Sequence, residues 1–205
     1  MSLSKATQSK LKKIKVDPDP PKKLRPEILL GHNIPKPLHG VAPRVVLGVN
    51  WWNKERRAAY KSSNYHCMAC GVHKSKAKYH QWLEGHELYE IDYAKGRMKY
   101  LETVPLCHFC HNYIHDGRLL DLLKKRQIHH AKYVAILKHG DQVLRKAGLE
   151  KLSRDQRNEL FLKQMFKGRI AAWKDWRLVI GRKTYKPKYN NLKELEEAFS
   201  SDKEE

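Results

Sequence analysis

Four cysteines in the middle of the chain have the type and spacing of metal ligands. Cys67 and Cys70 form one Cys-x-x-Cys pair, Cys107 and Cys110 form a second, and no cysteine is left over. This pattern is typical of a zinc site in which four thiolates surround one ion tetrahedrally. Two disulfides are the alternative. The polar, basic N-terminus has no apolar signal segment, which favours the cytoplasm, where thiols stay reduced.

Three histidines in the same region indicate a second, different metal site. His111 and His115 stand one helical turn apart, so both imidazoles are expected on one face of a helix, and His86 lies in a predicted strand opposite them. Three imidazoles leave open coordination positions, which a Lewis acid acting on a phosphate requires. Glu84 and Glu87 flank His86 and offer carboxylates to orient a ligand or to take a proton from water.

The segments around these residues predict how they are positioned. Cys67 to Gly71 should form a tight knuckle, because Gly71 permits the sharp turn that brings two thiolates to one ion. Alternating residues at 83–93 and 97–104 predict a β-hairpin, and residues 107–125 predict a helix. Knuckle, hairpin and helix in this order form a treble-clef arrangement, in which zinc supplies folding energy that so small a core lacks.

The flanks complete a predicted α+β fold of four parts. They are a mobile basic arm (1–26), an irregular segment plus a helix (27–63), the zinc module (64–126) and a mainly helical lobe with a small hairpin (127–205). In the second part we expect a helix capped by Asn50 that ends near Ser63. In the lobe, Gly148 is a predicted helix stop, Ser153 a helix cap and Gly181 the centre of a hairpin.

The charge balance indicates a polyanionic partner. The chain has 42 Lys and Arg against 22 Asp and Glu, a formal net charge of +20, and such an excess attracts a phosphate backbone. We expect DNA, with RNA as the open alternative, and we name Lys74, Lys76, Lys78 and Arg118 as candidate contacts. No run of 18 apolar residues predicts a membrane span. Nothing in the sequence specifies an oligomeric state.

Two motifs together resemble a known family. LEGHE at 83–87, the hairpin, and LCHFCH at 106–111 with His115 are similar to HNH endonucleases of the ββα-metal superfamily, in their four-cysteine zinc form. The resemblance covers residues 64–118, and the flanking IPKPLHGVAPR and WRLVIGRKTY extend it more weakly toward HNH-type proteins of tailed phages. It implies a metal-dependent endonuclease that hydrolyses DNA in the cytoplasm of a bacterial or phage-infected cell.

The resemblance also implies roles for the site residues. Zn²⁺ would be structural, whereas Mg²⁺, Mn²⁺ or another divalent transition ion would be catalytic at His111 and His115. In one alignment His86 is a third ligand of that ion and Glu87 occupies the position of the general base. In the other, His86 is the base and Glu84 replaces a missing aspartate ligand.

One departure from the family pattern supports a different function. The motif's middle asparagine, which orients the base in the family, falls near Glu102. A non-catalytic, zinc-containing nucleic-acid-binding protein with a degenerate HNH motif is therefore the alternative to an enzyme.

Overall fold

A computed structural model describes residues 18–31 and 34–201, so most of the predicted basic arm lies outside the described residues. The helices and strands are α1 (Pro43–Val46), α2 (Gly48–Ser62), β1 (Glu84–Asp92), β2 (Arg97–Leu106), α3 (His108–Ile114), α4 (Asp116–Lys124), α5 (His130–Lys146), α6 (Arg154–Phe166), β3 (Arg177–Ile180), β4 (Lys183–Tyr185) and α7 (Leu192–Ser201). Short 3₁₀ turns lie at Pro26–Leu30, Lys36–Leu38, Lys74–Lys76 and Trp173–Asp175. The predicted α+β class is confirmed. No helix within the described ranges is long and apolar enough to cross a membrane.

The sheet is mixed and has the strand order β1-β2-β3-β4. The central hairpin is confirmed, with Glu84 opposite Leu106 at one end and Asp92 opposite Arg97 at the other. The C-terminal hairpin is also confirmed, and Gly181 turns it with φ +56°. Its strand β3 pairs in parallel with β2, starting with Arg97 beside Arg177. The last third of the chain therefore extends the sheet that begins with the central hairpin.

Two helix predictions need correction. The helix expected over residues 107–125 is two helices, because His115 has φ −87° and ψ 51°, a conformation that ends α3, and α4 begins afresh at Asp116. The helix expected after an Asn50 cap starts earlier, at Gly48. Gly48 has φ +82°, which turns the chain from α1 directly into α2 and leaves Asn50 exposed inside the helix.

Part of the 27–63 segment, which was expected to be irregular before its helix, forms the short helix α1. Pro43 occupies the first position of α1, where its missing N–H costs no hydrogen bond. Two predicted helix boundaries in the C-terminal part are confirmed. Gly148 follows α5 with φ +68°, and Ser153 caps α6 in a capping box with Gln156.

The larger of two hydrophobic clusters among the described residues holds the elements of the candidate site together. Leu29, Leu106, Ile136 and Leu144 are fully buried in it beside the cysteines, so the end of β2 and helices α3 and α5 share one core. Helix α5 approaches α3 so closely that a Cβ at Gly140 would lie 2.1 Å from the ring of Tyr113. The smaller cluster joins β2 to β3 around Met98, Trp176 and Leu178.

Candidate functional site

The four cysteines lie together as the sequence predicted. Their sulfur atoms all lie within 4.8 Å of one another, and Cys70 Sγ is 3.8 Å from Cys107 Sγ. A Zn–S bond of about 2.3 Å places tetrahedral ligands about 3.8 Å apart, whereas a disulfide needs about 2.05 Å. Cys67 and Cys110 are completely buried. The donor set and its spacing fit one zinc ion, and the disulfide alternative is excluded because all four thiols are free.

Backbone hydrogen bonds close the first Cys-x-x-Cys pair into a knuckle. The Gly71 amide donates to Cys67 O, and the Cys67 amide donates to Val72 O, each over 2.9 Å. Gly71 has φ +76°, which confirms the predicted role of this glycine. The Met68 amide donates to Pro105 O at 2.9 Å and so fixes the knuckle to the end of β2. The second pair follows directly, at the start of α3.

His139 is a neighbour of the cysteine cluster that sequence reasoning missed. Its Nε2 lies 3.4 Å from Cys110 Sγ, within the distance of a hydrogen bond to sulfur. Such contacts orient metal-binding thiolates and offset their charge. The sequence offers no signal for it, because His139 is brought to the site by α5, through the packing of α5 on α3.

The three predicted histidines converge beside this cluster. His86 on β1, His111 on α3 and His115 between α3 and α4 each present a ring nitrogen within 4.8 Å of the others. The ring centroids of His111 and His115 are 4.7 Å apart, and the His86 centroid lies 5.5 and 5.1 Å from them. The break in the predicted helix does not separate the pair, since the His115 amide still donates to His111 O at 3.4 Å.

Burial sets the charge of two of these imidazoles. Burial, aided by the charge of His111, lowers the pKa of His86 to about 3 and that of His115 to about 4. Both rings are therefore neutral at pH 7, the form in which imidazole binds metal ions. His111 Nδ1 is buried without an aligned hydrogen-bond partner. Three close imidazoles, of which His86 and His115 are neutral, fit a divalent transition ion.

Glu84 lies behind the histidine cluster. One carboxylate oxygen accepts a hydrogen bond from His108 Nδ1 at 2.8 Å, and the other lies 2.5 Å from His111 Nδ1, although out of line for a well-formed bond. Burial raises the pKa of Glu84, but the contacts with His108 and His111 outweigh it and lower the value to about 2. An ionised carboxylate in this position holds a histidine with one nitrogen free for an ion.

Glu87 lies beside the histidine cluster rather than within it, because adjacent residues of a strand face opposite sides. Its Oε1 is buried without a hydrogen-bond partner, and Arg44 forms an ion pair with it, with one guanidinium nitrogen at 3.6 Å. The charge of Arg44 also contributes to lowering the pKa of His86 and His115. Arg44 is therefore an exposed cation near the cluster. It was missed because it lies on α1, far away along the chain.

The remaining predicted residues are distributed around this centre. Lys76, Lys78 and Arg118 are exposed, whereas the Lys74 ammonium lies 4.1 Å from the ring centroid of Tyr65. The charge of Arg118 contributes to lowering the pKa of His115, so this arginine is near the histidines. Their proposed contacts with nucleic acid stay predictions.

The position expected to hold asparagine does not contact the cluster. Glu102 points outward from β2 and forms an ion pair with Arg25 at 2.6 Å. Asn112, on α3, is buried and donates to His108 O at 2.8 Å. The asparagine that lies near the site is therefore Asn112 of helix α3, and it contacts His108 rather than His86.

No protein-family model, curated protein or solved structure matches this chain. Its function is therefore inferred from its own residues and their geometry.

Proposed function

We propose that this protein is a metal-dependent endonuclease of the HNH type, which hydrolyses phosphodiester bonds in DNA. The observation that carries the proposal is the convergence of His86, His111 and His115 between a β-hairpin and a helix, next to a four-cysteine cluster. Knuckle, hairpin and α3 follow one another in the order of a treble-clef ββα-metal core, which supports this fold assignment. Zn²⁺ at the cysteines is structural in this proposal.

The histidines are the proposed ligands of a second, catalytic ion. Imidazole suits transition ions such as Ni²⁺ better than Mg²⁺, so a divalent transition ion is the favoured occupant. Such an ion, when bound, would offset the charge that develops on the scissile phosphate and assist the leaving 3′ oxygen.

The chain's own groups then divide the remaining tasks. Glu84 orients His111, since its carboxylate lies 2.5 Å from Nδ1 of that ring. Arg44 is exposed and close to the cluster, which suits a contact with a phosphate oxygen. Proton transfer from water is open between two groups, His86, which faces the cluster, and Glu87, which lies beside it on the other side of β1.

DNA is the proposed partner on grounds of charge. The net charge of +20 and the exposed lysines of the 74–78 segment favour contacts with the phosphate backbone, which carry affinity but little sequence information. Binding should therefore weaken steeply as salt increases.

A plasmid assay tests the enzyme. Supercoiled plasmid is incubated with zinc-loaded protein and Mg²⁺, Mn²⁺ or Ni²⁺, and with the His111→Ala variant in parallel. We expect nicked or linear product only with added ion and only with the wild type. Binding of DNA without ion-dependent cleavage would instead establish the non-catalytic, nucleic-acid-binding alternative.

Two further variants separate the roles of His86 and Glu87. If His86 is an ion ligand, His86→Ala should lose both the second ion and cleavage. Loss of cleavage in Glu87→Gln with the ion retained would assign proton transfer to Glu87. The reverse result for His86, retained ion affinity without cleavage, would make His86 the base.

A further inference from the structure

An exposed group of aromatic rings lies next to the candidate site. It is formed by Tyr79, His80 and Trp82 in the loop before β1, together with His108 at the start of α3, and we call it the aromatic platform. The Trp82 indole stacks on the His80 ring, with centroids 4.0 Å apart and planes 9° from parallel. His80 in turn meets the His108 ring edge-on at 4.7 Å.

The platform is connected to the histidine cluster through a hydrogen bond. His108 Nδ1 donates to Glu84 at 2.8 Å, and the other oxygen of Glu84 lies 2.5 Å from His111. Trp82 is thus linked through His80 to His108, and the Glu84 carboxylate that contacts His108 also contacts the proposed ion ligand His111. A group stacked on Trp82 would lie beside the site rather than on a remote surface.

Within the platform, Trp82 offers an open ring face. Tyr79 already stacks on His108 at 5.3 Å, and the Lys132 ammonium lies 3.4 Å from its ring centroid. One face of Trp82 is covered by His80, yet the residue is 55% exposed, so its outer face is open to solvent.

A strained backbone and two cations accompany the aromatic platform. Tyr79 has φ +78°, a strained conformation for a bulky residue, and such strain concentrates at functional sites. Lys78 is exposed beside the platform, and Lys132 approaches Tyr79 from α5. An open indole face next to cations matches the surfaces on which single-stranded nucleic acids stack their bases.

We infer that Trp82 is a stacking site for an unpaired base of a polynucleotide bound at the histidine cluster. In a duplex the base faces are already stacked on one another, so only a single strand, or a duplex locally opened near the scissile bond, presents a free face. This inference rests on the proposed function for the polynucleotide partner. It adds the substrate class, which is a strand with an unpaired base near the cleaved phosphate.

Equilibrium binding tests this without requiring cleavage. The affinity of zinc-loaded protein, with no further divalent ion, is measured by fluorescence anisotropy for a labelled single-stranded DNA, its duplex, the same strand carrying abasic sites, and the equivalent RNA. Trp82→Ala should weaken single-strand binding about 5- to 150-fold and leave duplex and abasic binding unchanged. Trp82→Phe should retain most of the affinity.

The controls keep the outcome decisive. Phe199→Ala removes an aromatic of similar exposure on α7 and should have no effect. An unchanged affinity of Trp82→Ala for both single strands, DNA and RNA, or an equal loss on all four ligands, would overturn the inference. If Trp82→Ala fails to fold, the wild type alone provides the test: equal affinity for the intact and the abasic single strand would overturn the inference. A loss confined to RNA would identify the strand as RNA.

The two proposals fail in distinguishable ways. If no cleavage is found but Trp82→Ala weakens binding only to strands that carry bases, the nuclease proposal is refuted and the stacking proposal stands. Cleavage without that effect would do the opposite.

Discussion

Replacing Glu84 by glutamine should weaken ion binding at the histidine cluster. Each oxygen of this carboxylate contacts one ring, His108 at 2.8 Å and His111 at 2.5 Å, and the pKa of about 2 keeps both oxygens as acceptors at neutral pH. Glutamine has the same shape but only one acceptor oxygen. Its amide N–H₂ would then face a ring N–H, a donor against a donor, so one histidine loses its orientation.

The size of the effect follows from that geometry. Removing a partner that orients a metal-binding histidine typically costs 10- to 100-fold in ion affinity, or about 1.4 to 2.8 kcal/mol. Glu84 is partly buried and its contacts are charge-assisted, which favours the upper half of this range. We expect Glu84→Gln to raise the Kd for Mn²⁺ by about 30- to 100-fold.

Mn²⁺ suits the measurement because the free ion has a strong electron paramagnetic resonance signal, and because the hard ion should not displace zinc from thiolates. The matched control is Glu90→Gln on the same strand, an exposed residue that pairs with Lys99 at 3.9 Å. Zinc content should stay at one ion per chain in all proteins. Equal Mn²⁺ affinity of Glu84→Gln and the wild type would refute the orienting role.

Three further predictions concern the scaffold. Cys107→Ser, or removal of zinc by a chelator, should bring zinc content below one ion per chain and abolish the cooperative thermal transition, because the ion supplies much of the folding energy. Gly140→Ala should lower the Tm, since its Cβ would lie 2.1 Å from the ring of Tyr113, whereas Gly117→Ala, with nothing within 4 Å, should not. Burial raises the pKa of the Asp116 carboxyl, but the nearby cations Lys151 and Arg157 outweigh it and lower the pKa. Its contribution to stability is therefore fully present above the unfolded value of 3.8 and is lost as the pH falls through the lowered, folded-state pKa. Asp116→Asn should therefore lower the Tm at pH 7, and the difference in Tm between the variant and the wild type should be smaller in acid. A difference in Tm that does not change with pH would contradict this role of Asp116.

Local patterns in the sequence predicted most of the scaffold. The spacing of the cysteines, the alternation of residues 83–104 and the cap at Ser153 are short-range signals, and each appears in the structure. The convergence of His86 with His111 and His115 was also predictable, because a helix that follows a hairpin packs back on it.

Features that depend on distant segments were not predictable in this way. The end of α3 at His115 is an exception, because Asp116 and Gly117 have low helix propensity and could have indicated it. Arg44 and His139 reach the two sites only through the packing of α1 and α5, and the parallel pairing of β3 with β2 joins segments about 80 residues apart. No spacing rule within the sequence records such contacts.

The most direct test of the proposed nuclease activity is the rate at which purified protein nicks supercoiled plasmid as Mn²⁺ is titrated. A catalytic ion held by the three histidines predicts no cleavage without added ion, a rate that saturates with Mn²⁺, and loss of that rate in His111→Ala with zinc content unchanged. Cleavage that is independent of Mn²⁺, or an equal rate in His111→Ala, would contradict it.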